Sequence, residues 1–165
     1  MQSAWRRFAF VVAATLSVVL DTGIVNLSAQ AIDPRVGTWK LNVAKSQFNA
    51  GPPLRSLTVK VEPAGQGEKV TTEGVNADGT RIAIGYTANF DGTDYPLTGS
   101  QMASTVALKR IDARTTERTD KKADGTVAVT RRRIVSQDGQ TMTIAEKGNS
   151  ALAWAPDAVL VFEKQ

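Results

Sequence analysis

Neither cysteine nor histidine occurs among the 165 residues. Without cysteine there is no disulfide framework, no thiol nucleophile and no thiolate ligand for zinc. Without histidine the chain lacks the usual general base and the commonest metal ligand. Most hydrolase chemistry falls away with those two residues. Arg, Asp, Glu, Tyr and Lys remain for acid–base work, but no convergent set of them is visible, so the expectation is a non-catalytic protein with no metal site and no cofactor. Aromatic residues are also scarce, at 6%, which leaves no girdles for an outer-membrane barrel. Charge of one sign is in short supply too: a net +4 is too small a surplus to argue for a nucleic-acid partner. What is present, 42% hydrophobic and 22% charged residues, suits one folded domain and argues against disorder.

The first segment reads as a leader. Arg6 and Arg7 form a basic start, and residues 8–20 are an apolar run broken only by Thr15 and Ser17. At about 13 residues the run is shorter than the roughly 20 that a bilayer span requires. Ala29 and Ala31, in Ser28-Ala29-Gln30-Ala31, supply the small side chains that precede a signal-peptidase cut. The reading is a signal peptide over 1–31, cleaved after Ala31, followed by a single domain over 32–165. Export to the periplasm or the extracellular space follows, with no stable membrane insertion after cleavage. Losing Arg6, Arg7 and Asp21 leaves 18 basic against 15 acidic residues, a surplus of only +3.

After Pro34 the pattern is almost wholly β. Short segments rich in Val, Ile, Thr and aromatics predict strands near 36–41, 55–62, 68–75, 80–90, 103–111, 114–121, 126–136, 140–147 and 158–163. Asp78-Gly79, Asp91-Gly92, Asp124-Gly125 and Asp138-Gly139 stand between extended segments, where a residue with positive φ closes a hairpin. Alternation sets Leu57, Val59 and Val61 against Thr58, Lys60 and Glu62, so the strands have one wet face. One short helical turn is expected around 43–48, and 42–53, 91–102 and 148–157 read as the longer loops. About 8–10 sequential antiparallel strands must hide two edges, and hairpin-rich order favours closure into an up-and-down β-barrel over a sandwich.

Gly37-Thr38-Trp39, on the first strand, resembles the Gly-x-Trp signature of the lipocalin family. The layout closed by a final strand at 158–163 is similar to the wider calycin group, which includes the fatty-acid-binding proteins. The resemblance implies a lipocalin-like barrel with Trp39 plugging one end and packed on a basic side chain. It carries over no ligand contacts: no Arg-x-Tyr pair stands in the terminal strand, and no helix follows it.

The densest charge cluster, Arg131-Arg132-Arg133, lies inside a strand. If Val127 and Val129 face inward, alternation turns Arg131 and Arg133 inward too, and Arg110 follows Val106 and Leu108 in the same way. Buried guanidinium groups need carboxylates or an anionic ligand. One reading is a basic mouth for the head group of an anionic amphiphile. The other is a bulge that turns the arginines outward, or pairing with Glu146 and Glu73. The inward apolar set, which includes Met142, Ile144, Val159 and Val161, either lines a pocket or fills the barrel. The strand over 114–121, with charge on both faces, reads as a solvated edge or a projecting hairpin. Candidate ligand-binding residues are Tyr86, Phe90, Leu108 and Ile144 for apolar contact and Arg110, Arg131 and Arg133 for a head group. The ligand expected is a small hydrophobic or amphiphilic molecule. The competing reading is a filled barrel that serves as a structural or interaction module, with Trp154 as a loop anchor.

Overall fold

The computed structural model describes residues 33–49, 52–148 and 158–165. The expected signal peptide, its cleavage site and the loop carrying Trp154 lie outside the described residues. The strands are β1 (Gly37–Leu41), β2 (Gln47–Phe48), β3 (Ser56–Ala64), β4 (Gly67–Val75), β5 (Arg81–Asn89), β6 (Asp91–Thr98), β7 (Thr105–Arg110), β8 (Thr115–Lys121), β9 (Val127–Val135), β10 (Thr141–Gly148) and β11 (Ala158–Lys164).

From β3 onward each strand pairs antiparallel with the next, and β1 pairs with both β3 and β11, so the sheet closes on itself. β1 and β2 lie one after the other along β11: Leu41 opposes Phe162, and Phe48 opposes Ala158. Between them a 3₁₀ turn, Val43–Lys45, is capped by Asn42, whose side-chain oxygen accepts the Lys45 N–H at 3.1 Å. The two pieces therefore share one position, and the result is an all-β, antiparallel, up-and-down barrel of ten strands.

Alternation explains most of the inner face. Leu57, Val59 and Val61 are buried on β3 while Lys60 is exposed, and Val106 and Leu108 on β7 are fully buried. Three expectations need correction. The segment over 91–102, read as a loop, contains β6; Gly92 and Pro96 interrupt its alternation, and its ladder to β5 is short, joining only Gly85 to Thr98 and Tyr86 to Leu97. β8 is neither an edge nor a projecting hairpin but an interior strand paired with β7 and β9, and it turns Thr116, Arg118 and Asp120 inward. On β11, Leu160 and Phe162 face the core instead of Val159 and Val161. The register sets Phe162 against Met142 and Leu160 against Ile144, and cross-strand partners share a face. Val-Leu-Val-Phe is apolar in both phases, so periodicity alone carried no phase there.

One end of the barrel is plugged. Trp39 is fully buried and donates its indole N–H to the Arg35 carbonyl at 2.9 Å, while the Lys164 ammonium sits 5.1 Å from its ring. Arg35, also buried, forks onto Asp33 and stacks on Phe90 at 4.7 Å. Arg110 covers Phe90 at 4.5 Å and reaches Asp33 at 3.3 Å. Trp39 thus has the basic partner that the Gly-x-Trp resemblance implies.

Candidate functional site

The interior between the plug and the opposite mouth is not filled. A cavity of about 190 Å³ is walled by Leu57 and Val59 from β3, Ile82 and Ile84 from β5, and Ile144, Leu160 and Phe162 from β10 and β11. Facing these apolar side chains stand Arg118, Arg131 and Arg133 from β8 and β9. The cavity shares Leu54, Ile82, Ile84, Arg118 and Arg131 with a wider mouth of about 470 Å³, which is rimmed by Asn76, Arg81 and residues 99–103.

The strand register explains why the arginines are tolerated. Arg118 lies directly opposite Arg131, an arrangement that by itself is repulsive. Asp120, two residues beyond Arg118 on the same face, relieves it. It accepts from Arg118 Nε and Nη2, at 2.5 and 2.8 Å, and also from the Arg131 Nη1. On its other flank Arg131 opposes Glu146 and donates Nε to it at 2.5 Å. Arg133 donates to the Thr116 hydroxyl at 3.1 Å and to Glu68 at 2.5 Å. Glu68 belongs to β4. Around ten positions β4 and β9 are five apart, so this ion pair crosses the lumen along a diameter. The Tyr86 hydroxyl donates to the same carboxylate at 2.8 Å, and the Arg118 guanidinium lies over the Tyr86 ring at 4.7 Å. Arg133 and Tyr86 line the cavity, and the buried Glu68 carboxylate holds both of them in place from behind.

Burial, followed by the Glu68 charge, pushes the Tyr86 phenol well above its ordinary pKa, so it acts as a donor. Burial alone would lower the two guanidinium groups. The adjacent carboxylates, Glu146 and Asp120 for Arg131 and Glu68 for Arg133, outweigh that effect and hold both above the ordinary value.

Of the seven residues singled out from the sequence, the structure brings Tyr86, Arg131, Arg133 and Ile144 together on the cavity wall. The other three lie elsewhere. Leu108 is packed in the core, and Phe90 and Arg110 stack on each other at the plugged end. The reason is strand direction: β7 runs from mouth to plug, so Arg110, two residues after Leu108, is carried past the cavity. Sequence reasoning named Glu146 as a partner for the arginines, which Arg131 bears out, but missed Glu68, Thr116, Arg118 and Asp120. The alternation of Thr116, Arg118 and Asp120, and the spacing of Glu146 two residues after Ile144, carry the signal. Inward arginines demand inward carboxylates, and that requirement points to these strands.

A comparison with protein-family models gives no match to this chain, and neither does a comparison with the curated proteins.

Proposed function

We propose that the protein is an exported, non-catalytic binding protein that holds a small hydrophobic or anionic amphiphilic molecule inside a lipocalin-like barrel. The observation that carries this reading is the cavity itself, apolar on one side, lined by guanidinium groups on the other and open towards one end of the barrel. Export rests on the leader pattern of residues 1–31. The absence of chemistry is supported by the state of the carboxylates: Glu68, Asp120 and Glu146 are all engaged by arginine, so among the described residues none in the cavity stands free as a base.

Native mass spectrometry of the purified protein, followed by displacement of a fluorescent fatty acid, tests the reading. A co-purifying small molecule or saturable displacement is the expected result. A bare mass together with no binding of any apolar probe would leave a structural or interaction module, acting through its surface, as the account of the fold.

A further inference from the structure

We infer that the occupant of this cavity is a compact, uncharged molecule of about one ring's bulk, with a hydrogen-bond acceptor at one end, and not a fatty-acid anion. The inference rests on the carrier reading above and narrows it.

Charge is the first argument. Three cations, Arg118, Arg131 and Arg133, meet three anions, Asp120, Glu146 and Glu68, in two sets of ion pairs, the chain Arg118–Asp120–Arg131–Glu146 and the separate pair Arg133–Glu68. The lumen is already neutral. An entering carboxylate would surrender its hydration and find every guanidinium already neutralised, which is the condition under which burial of a charge is not repaid. A neutral acceptor carries no such cost, and donors are waiting for it. Arg118 uses Nε and Nη2 on Asp120, Arg131 uses Nε and Nη1 on Glu146 and Asp120, and Arg133 uses Nε and Nη2 on Thr116 and Glu68. Each keeps one terminal nitrogen without a hydrogen-bond partner among the described residues. Among the described residues, Arg35 Nη1, at the plugged end, is the one side-chain polar atom cut off from open space without a partner. The three remaining nitrogens therefore touch accessible volume, and the side chains that bear them line the cavity. A carbonyl, ester or ether oxygen placed there accepts without adding charge.

Size is the second argument. A dry apolar cavity of about 150 Å³ accommodates benzene. At about 190 Å³ the inner cavity, below the mouth, holds one substituted ring. A long alkyl chain would have to continue into the mouth, whose walls mix Leu54, Ile82, Ile84 and Met102 with Asn76, Arg81 and Gln101. The mouth opens to solvent, so the methylene groups lying there would be only partly withdrawn from water and would gain less from burial.

Isothermal titration of the purified protein at neutral pH with acetophenone, benzoate and decanoate separates the two variables. Acetophenone and benzoate share a ring and an acceptor oxygen but differ in charge, and decanoate adds length. Acetophenone is expected to bind at least about tenfold more tightly than either anion. Benzoate or decanoate binding as tightly as acetophenone would overturn the inference and leave the carrier reading standing. If none of the three binds, the fluorescent fatty acid is not displaced and the native mass is bare, both fall. The Glu146→Gln variant isolates the charge argument. Removing one anion leaves the lumen with a net positive charge, so the benzoate-to-acetophenone affinity ratio should rise about tenfold. A ratio unchanged in the folded variant would overturn it.

Discussion

Glu68 and Arg133 face each other across the full width of the barrel, both almost without solvent, and the Tyr86 hydroxyl completes the carboxylate's hydrogen bonding. Removing one partner strands the other. Glu68→Gln or Arg133→Met should each cost roughly 3–5 kcal/mol, whereas the double variant should cost clearly less than their sum; urea unfolding of the three variants measures this. Tyr86 provides a second residue-scale prediction. Its folded pKa lies above the ordinary 10.0, because burial and Glu68 both oppose the phenolate. Its contribution is therefore complete below about pH 10 and declines as pH rises beyond that value. Tyr86→Phe should flatten the alkaline fall of the melting temperature, and a wild-type-like fall in that variant would contradict the assignment. The inward phase of Arg131 and Arg133 was legible from alternation with Val129. Their partners were less so: the sequence suggested Glu146 but paired Glu73 where Glu68 stands. Sequence spacing says nothing about which strand lies opposite on a closed barrel.

At the scale of elements, the hairpins at Asp78-Gly79, Asp124-Gly125 and Asp138-Gly139 were the most legible feature, because Asp-Gly states its own geometry, whereas Asp91-Gly92, expected between strands, opens β6 itself. Gly125, in the β8–β9 turn, has φ +83° and nothing within 4 Å of where a Cβ would stand. Gly99, between β6 and β7, has φ +75°, but there a Cβ would lie 1.8 Å from the Ala83 carbonyl oxygen. The two positions separate conformational strain from steric exclusion. Gly125→Ala should cost about 1–2 kcal/mol, the usual penalty for a left-handed L residue. Gly99→Ala should cost distinctly more, because β5 must also move; thermal melts of the two variants provide the comparison, and equal losses would refute it. The harder elements were those whose residues fit two faces or none. β11 is apolar in both phases, β6 has glycine and proline in place of alternation, and β8 carries charge on both sides. β8 is the instructive case. Outward Glu117 pairs with Arg132 at 2.7 Å, while inward Asp120 binds Arg118 and Arg131, so its charges serve two different environments. A strand of this composition looks solvated until the neighbouring interior is known to be ionic.

For the whole molecule, closure makes every turn part of the same cooperative unit, and the turns carry a shared dependence on acid. Asp78, Asp91, Asp112, Asp124 and Asp138 each accept the backbone N–H two residues ahead, at 2.7 to 3.0 Å. All five have pKa values held below the ordinary 3.8, with hydrogen bonds from Thr80, Tyr95, Arg114, Thr126 and Ser136 as the respective leading causes. At Asp33 burial acts in the opposite sense, and the bonds from Arg35 overcome it. The sign follows directly. A carboxylate whose pKa is depressed by folding stabilises the native state above its unfolded value, and that stabilisation is lost as pH falls through the folded value. The melting temperature should therefore hold down to about pH 4 and fall progressively below it. Repulsion within a chain of net charge +4 also grows on acidification, so a control is needed. Replacing the five turn aspartates by asparagine provides it. Asn still offers an oxygen to the same N–H groups, and below the folded pKa values the variant and the parent carry the same charge at those positions. The variant should start from a lower melting temperature at neutral pH and converge with the parent as pH falls. Circular-dichroism melts between pH 2 and 7 measure this, and a gap that stays constant across the range would show that the turn carboxylates contribute through shape and not through charge.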